Sequence, residues 1–200
     1  MKILVVGGAS GSIGKTVANH LKEKHEVITA GRNSGDLQVN IEDIDSIREM
    51  YGKAGELDAV VSCAGAAKWA SFDEMSEEDL YIGIRSKLMG QVNLVRVGQE
   101  FLRAGGSFTL TTGILADDPV FGTTSAAMVN NAIHGFVIAV SQELKNGQRI
   151  NAVAPGLVEN SAARLGGHFP GHIPVPMYKV AAGYVRSVEG RRSGEIIRIY

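Results

Sequence analysis

The segment Ile3-Leu4-Val5-Val6-Gly7-Gly8-Ala9-Ser10-Gly11-Ser12-Ile13-Gly14 carries the strongest fold signal in this 200-residue chain. Its first four residues are apolar, which predicts a short strand buried on both faces. The glycine-rich turn leads into a helical pattern from Lys15 to Leu21. Glycines let the backbone approach a pyrophosphate, and the free N–H groups at a helix start favour negative charge. The order of strand, turn and helix therefore predicts a dinucleotide-binding site.

The rest of the chain repeats the alternation of strand and helix. Short apolar runs recur at Val27–Ala30, Ala59–Val61, Ser107–Thr111, Ile150–Val153 and Glu195–Ile199, and stretches with helical spacing separate them. The clearest helix is predicted from about Thr123 to Lys145. This pattern predicts an α/β class Rossmann fold, in which a doubly wound parallel sheet of about seven strands forms the middle of three layers, α/β/α, in a single domain over residues 1–200.

One region between the last predicted strands has a different composition. Residues 156–175 are rich in glycine and proline, which predicts a loop. A loop after the carboxyl end of a strand is where a substrate lid would lie.

Composition and charge narrow the range of partners. Lysine and arginine number 20 against 21 aspartate and glutamate, so no broad field for nucleic acid or a membrane surface is expected. A small-molecule partner is the expectation. Cys63 is the only cysteine, which excludes an intrachain disulfide and fits a cytoplasmic location, and the opening apolar run is too short for a leader or a membrane span. No metal-ligand spacing is found among Cys63 and the five histidines.

The end of the second predicted strand bears on the choice of dinucleotide. Ala30-Gly31-Arg32-Asn33-Ser34 offers no carboxylate to a ribose 2′-hydroxyl, and its guanidinium suits a 2′-phosphate. NADP(H) is therefore the preferred cofactor, with NAD(H) as the alternative. A solvated surface role for Arg32 stays open.

Four segments, in this order and separation, resemble the short-chain dehydrogenase/reductase (SDR) family over nearly the whole chain. Gly8, Gly11 and Gly14 match the glycine spacing of its extended members, whereas another branch has the middle glycine at the position of Ser12. Asp58–Gly65 looks like the segment that ends in Asn-Asn-Ala-Gly, with Ser62-Cys63 in place of the asparagines. Asn151-Ala152-Val153-Ala154-Pro155-Gly156 is similar to the motif beside the nicotinamide, and Ser193–Ile197 resembles the last strand.

The resemblance implies a set of cofactor-binding residues and an oligomer. The set comprises Gly8, Ser10, Gly11, Ser12, Ile13, Gly14, Arg32, Asn33, Ser34, Asn40, Ile41, Cys63, Ala64, Gly65, Pro155, Gly156 and Val158. Asn40 could accept a hydrogen bond from adenine, or form an Asx turn into the next helix. Family members pack two helices into a homodimer or homotetramer interface, where Gly90, Ala132 and Gly135 would permit close approach.

The catalytic pair of the family is missing. Aligned on Ala126-Ala127-Met128, Phe121 takes the position of the tyrosine that acts as general acid, and Ser125 that of the lysine that lowers its pKa. Phe121 has no proton to give, and Ser125 carries no charge.

Two residues are candidates for the missing chemistry. Thr112, or its neighbour Thr111, falls where the family has a carbonyl-polarising serine, with a structural strand end as the alternative. Lys87 falls where the family has a helix asparagine and could replace the proton donor, with a surface or salt-bridged lysine as the alternative.

Other polar and aromatic residues are interpreted as structural. Tyr81 and Arg85 have the spacing of the pair but lie in the wrong element. His168, His172 and Tyr178 fall in or just after the glycine- and proline-rich region, where a histidine could protonate an alkoxide but solvation is the expectation. His134 and Trp69 are expected to be packing or interface residues.

Two functions therefore remain from the sequence. One is an NADPH-dependent reductase of a small carbonyl compound, or an alcohol oxidoreductase, with a tyrosine-independent mechanism. The other is a catalytically inactive NADP(H) sensor or partner-binding protein.

Overall fold

The computed structural model describes residues 1–200 and contains seven strands and seven α-helices. The strands are β1 (Lys2–Val6), β2 (Glu26–Gly31), β3 (Leu37–Gln38), β4 (Leu57–Ser62), β5 (Leu102–Thr111), β6 (Arg149–Pro155) and β7 (Ile196–Ile199). The helices are α1 (Ser12–Lys22), α2 (Ile44–Ala54), α3 (Glu77–Gly83), α4 (Gly90–Gly98), α5 (Thr124–Val140), α6 (Glu159–Leu165) and α7 (Met177–Glu189). None of the helices has the length and apolar character needed to cross a membrane.

All seven strands form one parallel sheet in the order β3-β2-β1-β4-β5-β6-β7. The strand order reverses direction at β1, which pairs with β2 on one side and with β4 on the other. Parallel strands all end at the same edge, and ligands of such sheets bind outside the carboxyl ends at this reversal. The predicted doubly wound fold is confirmed.

Two apolar cores lie on opposite faces of the sheet. Alternate residues of β1 point to different faces, so Leu4 and Val6 belong to one core and Ile3 and Val5 to the other. Helices α2, α4 and α5 cover the first core, and α1 and α7 cover the second. Burial on both faces explains why the strands read as continuous apolar runs.

The segment between α3 and α4 departs from α-helical geometry. Residues Ile84–Met89 form a π-helical stretch, so the chain runs as one interrupted helix from Glu77 to Gly98. The N-terminus of α3 has a capping box, in which Ser76 and Asp79 bond each other's backbone N–H. A π-helical insertion turns side chains away from the regular spacing and is frequent at functional sites. Lys87 lies inside this stretch.

Three local features differ from the sequence-based predictions. The short edge strand β3 was not predicted because two residues carry no periodicity. The predicted loop over residues 156–175 contains α6, since Ala162 and Leu165 can pack on an apolar cluster. Helix α5 ends at Val140 rather than Lys145, where the chain turns toward Asn146 and Gly147, both with positive φ.

Candidate functional site

The glycine turn between β1 and α1 is held by a close backbone contact. Gly7 has a φ of +83°, and a Cβ at Gly14 would lie 2.1 Å from the carbonyl oxygen of Gly7. A Cβ at Gly8 would lie 2.8 Å from the side chain of Val5. Helix α1 begins at Ser12 with neither a side-chain cap nor an acidic residue in its first turn. Its N–H groups are therefore available to an anion.

A groove of about 510 Å³ extends from this turn along the carboxyl edge of the sheet. The predicted cofactor residues that line it are Ser10, Gly11, Arg32, Ile41, Cys63, Ala64 and Gly65. Gly8, Ser12, Gly14, Asn33, Ser34 and Asn40 do not line it. Gly8 and Gly14 instead shape the turn by close packing, and the Ser12 hydroxyl accepts a hydrogen bond from Asn160 at 3.4 Å.

The end of β2 carries an ion pair that the sequence did not reveal. The Arg32 guanidinium donates to Glu42 Oε1 at 2.8 Å and to Asn40 Oδ1 at 2.9 Å. Glu42 also lines the groove, so a carboxylate from outside the segment Ala30–Ser34 lies at this edge. Asn40 Oδ1 accepts the backbone N–H of Glu42, which is the Asx turn offered as the alternative to an adenine contact.

A second cavity, of about 230 Å³, adjoins the groove, and Gly65 lines both. Its polar lining consists of Lys87, Thr112, Asn130 and Ser161. Its apolar lining includes Ile13, Trp69, Leu115, Leu157, Leu165 and Phe169, and the predicted residues Pro155, Gly156 and Val158 lie at its border. The cavity thus joins the end of the groove to the segment over residues 156–175 that contains α6.

Lys87 is the only ionisable side chain that lines the smaller cavity. Its Nζ donates to the backbone carbonyl of Thr112 at 3.5 Å, and no carboxylate pairs with it. Burial lowers the pKa of Lys87 to about 8. Lys87 can reach the cavity because Gly65 has no side chain. A Cβ on Gly65 would lie 2.7 Å from the Cα of Lys87, so any other residue would push the two segments apart. Neither alternative, a surface lysine or a salt-bridged one, describes this residue.

The two threonines at the end of β5 have different environments. The Thr111 hydroxyl is buried and bonds the Tyr184 hydroxyl at 2.7 Å. Thr112 lines the cavity, and its Oγ1 lies 2.9 Å from Nε2 of His134. Of the two, only Thr112 can contact a molecule in the cavity.

The structure places the two residues aligned with the catalytic pair outside the cavity lining. Phe121 is 83% exposed, and Ser125 is buried against Gly83, so neither lines the cavity. Ala126 and Asn130 do line it, four positions apart on α5. Neither the two aligned residues nor these two lining residues include a tyrosine or a lysine.

Two further residues of α5 and one aromatic residue were not recognised as site residues. Asn130 is buried and its Oδ1 has no hydrogen-bond partner, while His134 contacts Thr112 instead of serving only in packing. Trp69 lines the cavity. The four-residue steps from Ala126 to Asn130 and His134 place these residues on one helix face, and this spacing was the available signal.

The remaining sequence candidates lie outside the cavity lining. The Arg85 guanidinium is 5.0 Å from the centroid of the Tyr81 ring and pairs with Glu78, which is a surface arrangement. His168 packs edge-on against Trp69, and His172 pairs with Asp118 at 3.3 Å. Tyr178 is largely exposed.

The groove and cavity together fit a nicotinamide dinucleotide. A side chain at Gly14 would clash with the turn, the α1 N-terminus is uncapped, and a cation lies at the far end of the groove. At the other end, the orphaned Oδ1 of Asn130 is an acceptor that lacks a donor. Each of these features suits one part of such a ligand.

Sequence comparisons agree with this geometry. A family model described as Enoyl-(Acyl carrier protein) reductase (adh_short_C2) matches residues 8–174. The uncharacterized oxidoreductase YhxD of Bacillus subtilis is 27% identical over 86% of this chain and 66% of its own length. Acetoacetyl-CoA reductase of Allochromatium vinosum is 27% identical over 58% of this chain and 48% of its own length. The chain thus spans about half to two thirds of the length of these relatives.

Solved structures of similar fold include dehydrogenases as well. The protein lin1944 from Listeria innocua is 46% identical, with a TM-score of 0.98 and full coverage of both chains. A small-chain dehydrogenase in complex with NADPH is 25% identical, with a TM-score of 0.87, over all of this chain and 96% of that one. Together with the sheet order, the glycine turn and the matched family model, these likenesses show that the chain belongs to the short-chain dehydrogenase/reductase family of nicotinamide-dependent oxidoreductases.

Proposed function

We propose that this protein is an NADPH-dependent reductase of small carbonyl compounds, in which Lys87 replaces the tyrosine as the proton donor. The observation that carries the proposal is the position of Lys87, the only ionisable side chain lining the cavity next to the nucleotide groove. A lysine with a pKa of about 8 is mostly protonated at pH 7 yet gives up its proton readily.

The chain's own residues would hold each part of the cofactor. The N–H groups at the start of α1, with Ser10 and Gly11, suit the pyrophosphate, and Ile41 and Ala64 suit the adenosine half. Ile13, Gly156 and Val158 border the cavity where the nicotinamide end would lie, and the amide of Asn130 is available to its ribose hydroxyls. When bound, the reduced nicotinamide supplies a hydride to the carbonyl carbon of the substrate.

Thr112 and Lys87 would polarise the substrate carbonyl and protonate its oxygen, respectively. The Thr112 hydroxyl polarises the substrate carbonyl through a hydrogen bond. The ammonium of Lys87 gives a proton to the carbonyl oxygen as negative charge develops there, its electron pair stays on Nζ, and the resulting amine is reprotonated from solvent. Apolar walls around Lys87 strengthen both interactions, because the local dielectric constant is low.

The cavity lining supports a small, neutral and largely apolar substrate. Trp69, Leu165 and Phe169 present apolar or aromatic surfaces, and no side chain opposite Lys87 would pair with a second charge on the ligand. Aldehydes, ketones and quinones of modest size are the substrate class that fits this chemistry.

The cofactor preference depends on Arg32, whose guanidinium pairs with Glu42 and would have to bind the 2′-phosphate of NADP(H) in competition with that carboxylate. Replacing Arg32 with alanine is expected to weaken NADPH binding by about 10- to 100-fold and to change NADH binding little, because only the 2′-phosphate needs a cation. Replacing Glu42 with glutamine is expected to tighten NADPH binding by about 2- to 5-fold, since it removes a competing carboxylate at an exposed site. Trp69 is the only tryptophan and lines the cavity, so quenching of its fluorescence measures binding.

The Arg48→Ala variant is the matched control for Arg32→Ala. Arg48 lies on the surface of α2, paired with Asp45 at 2.8 Å, and is not part of the groove lining. If Arg32→Ala left the ratio of NADPH to NADH affinity unchanged, the assignment of Arg32 to the 2′-phosphate would be rejected.

A non-catalytic NADP(H) sensor is the second candidate function. Ala126 and Asn130 favour it, because both residues of α5 line the cavity and neither side chain can act as a general acid. The deciding experiment titrates the wild-type protein with NADPH and NADH, then adds benzaldehyde, cyclohexanone and 1,4-benzoquinone to the tighter complex. Loss of absorbance at 340 nm beyond the protein-free rate supports the reductase, binding without turnover supports the sensor, and absence of binding refutes both.

We further propose a homodimer or homotetramer that packs on the exposed faces of α4 and α5. Met128 and Ile138 are exposed on α5, and Ala132 and Gly135 leave room for a neighbouring helix. Gly90 does not belong to this surface, because its missing Cβ makes room for Ile41 in the interior. Sedimentation velocity measures whether the mass in solution is that of a dimer or a tetramer. The cytoplasmic location stays a prediction.

A further inference from the structure

The hydroxyl of Thr112 is held between the cavity and a buried histidine. Its backbone N–H donates to the carbonyl of Val153 at 2.9 Å, which fixes the residue at the end of β5. Its Oγ1 lies 2.9 Å from Nε2 of His134 on α5, and both residues are less than a tenth exposed. The hydroxyl can therefore rotate between two partners only, the imidazole and a molecule in the cavity.

The protonation of Nε2 decides what the hydroxyl offers to the cavity. A hydroxyl has one hydrogen to donate and can accept two hydrogen bonds. If Nε2 carries a hydrogen, it donates to Oγ1, and the hydrogen of Thr112 is free to point into the cavity. If Nε2 is bare, the Thr112 hydrogen is used by the imidazole, and only a lone pair faces the cavity. A substrate carbonyl needs the first arrangement, because its oxygen accepts.

We propose that His134 is a positioning residue that donates from Nε2 to Thr112 and thereby aims the Thr112 hydrogen at the substrate oxygen. This inference rests on the proposed reductase function. His134 does not itself contact the substrate, since it lies outside the cavity lining. Neither His134 nor Thr112 loses a proton in the reaction, because the proton that reaches the substrate oxygen comes from Lys87.

Charged groups from three elements surround this histidine. Burial lowers the pKa of His134, the carboxylate of Asp117 after β5 opposes that shift, and Arg198 on β7 and Lys87 add to it. Asp117 stays ionised, because its bonds with Arg198, at 2.8 and 3.0 Å, and with the Tyr200 hydroxyl lower its pKa to about 2. The imidazole is therefore neutral at pH 7 and carries a single N–H, so its tautomer is the decisive property.

The catalytic test compares two substitutions of His134. Leucine removes the donor, whereas glutamine keeps an amide N–H near the position of Nε2. We expect His134→Leu to lower kcat for benzaldehyde reduction by about 10- to 100-fold with KM and NADPH affinity unchanged, and His134→Gln to recover most of the loss. The melting temperature and Trp69 quenching by NADPH establish that each variant folds. If His134→Leu does not fold, His134→Gln and the tautomer measurement below decide the matter.

The second readout needs neither cofactor nor turnover. In nucleotide-free protein with 15N-labelled histidine, the Nε2–H tautomer is expected for His134, with a chemical shift that changes in Thr112→Val and much less in Thr112→Ser. An Nδ1–H tautomer overturns the proposal, as does wild-type kcat in a folded His134→Leu variant. If the wild-type protein reduces no carbonyl but shows the Nε2–H tautomer, the proposed function fails while the proposed orientation of the Thr112 hydroxyl stands. If Lys87→Ala is inactive and His134→Leu is fully active, the proposed function stands and the role of His134 fails.

Discussion

Replacing Lys87 with alanine is expected to lower kcat for carbonyl reduction by about 100- to 10,000-fold, with NADPH affinity nearly unchanged. Lys87 is the only ionisable side chain in the cavity lining, so no neighbouring group can take over proton donation. Its ammonium makes a single hydrogen bond, of 3.5 Å, to the carbonyl of Thr112. Removal should therefore leave the fold intact. Single-turnover oxidation of prebound NADPH measures the chemical step directly.

The pH dependence of kcat tests the role of Lys87 independently. Reduction uses the ammonium form, so kcat should be level below the pKa of Lys87, about 8, and fall tenfold per pH unit above it. Alcohol oxidation uses the amine and should rise toward a plateau above that pH. The Lys53→Ala variant is the control, because Lys53 lies on the surface of α2 and pairs with Glu49. A Lys87→Ala enzyme with wild-type kcat and an unchanged pH profile would end the proposal that Lys87 donates the proton.

Replacing Gly14 with alanine is expected to abolish nucleotide binding and to destabilise the protein. The added Cβ would lie 2.1 Å from the oxygen and 2.7 Å from the carbon of the Gly7 carbonyl, so the start of α1 must move away from the turn. Overpacking of this kind costs about 1–3 kcal/mol of the free energy of unfolding. We expect NADPH affinity to fall by more than about 100-fold, because the N–H groups that favour the pyrophosphate move with the helix. Thermal melting and Trp69 quenching measure the two effects.

Gly11→Ala separates the two effects. A Cβ at Gly11 would lie 3.5 Å from the carbonyl oxygen of Gly7, an ordinary contact, and its φ of −73° suits any residue. Gly11 lines the groove, so the methyl group should weaken NADPH binding by about tenfold without changing the melting temperature. Wild-type stability and affinity in Gly14→Ala would refute the role given to the turn.

The fold was largely predictable because its signals are local. The run Ile3–Val6 and the glycine turn lie within twelve neighbouring residues, and burial of a parallel sheet on both faces makes each central strand an apolar run. The segment over residues 156–175 was predicted as a loop because glycine and proline dominate its composition. Its helix α6 depends on packing against Ile114 and Phe169, which periodicity within the segment does not reveal.

The site was predictable only in part. Motif residues at the ends of β1 and β4 line the groove, and those at the end of β6 line the adjoining cavity, since parallel topology brings these ends to one edge. Phe121 and Ser125, which the sequence aligns with the catalytic pair, lie outside the cavity lining, and only the folded chain shows this. Ala126 and Asn130 became recognisable only through the cavity that they line.

Residue order alone was thus sufficient for the fold class and for the position of the glycine turn after β1, because both depend on neighbours along the chain. The predicted loss of the catalytic pair likewise depends only on which residue types are present. The position of Lys87 in the cavity lining, the pairing of Arg32 with Glu42 and the contact of Thr112 with His134 required the folded chain. These contacts join residues from separate elements, and their energies depend on distance and burial. Only packing of the helices against the sheet sets either quantity.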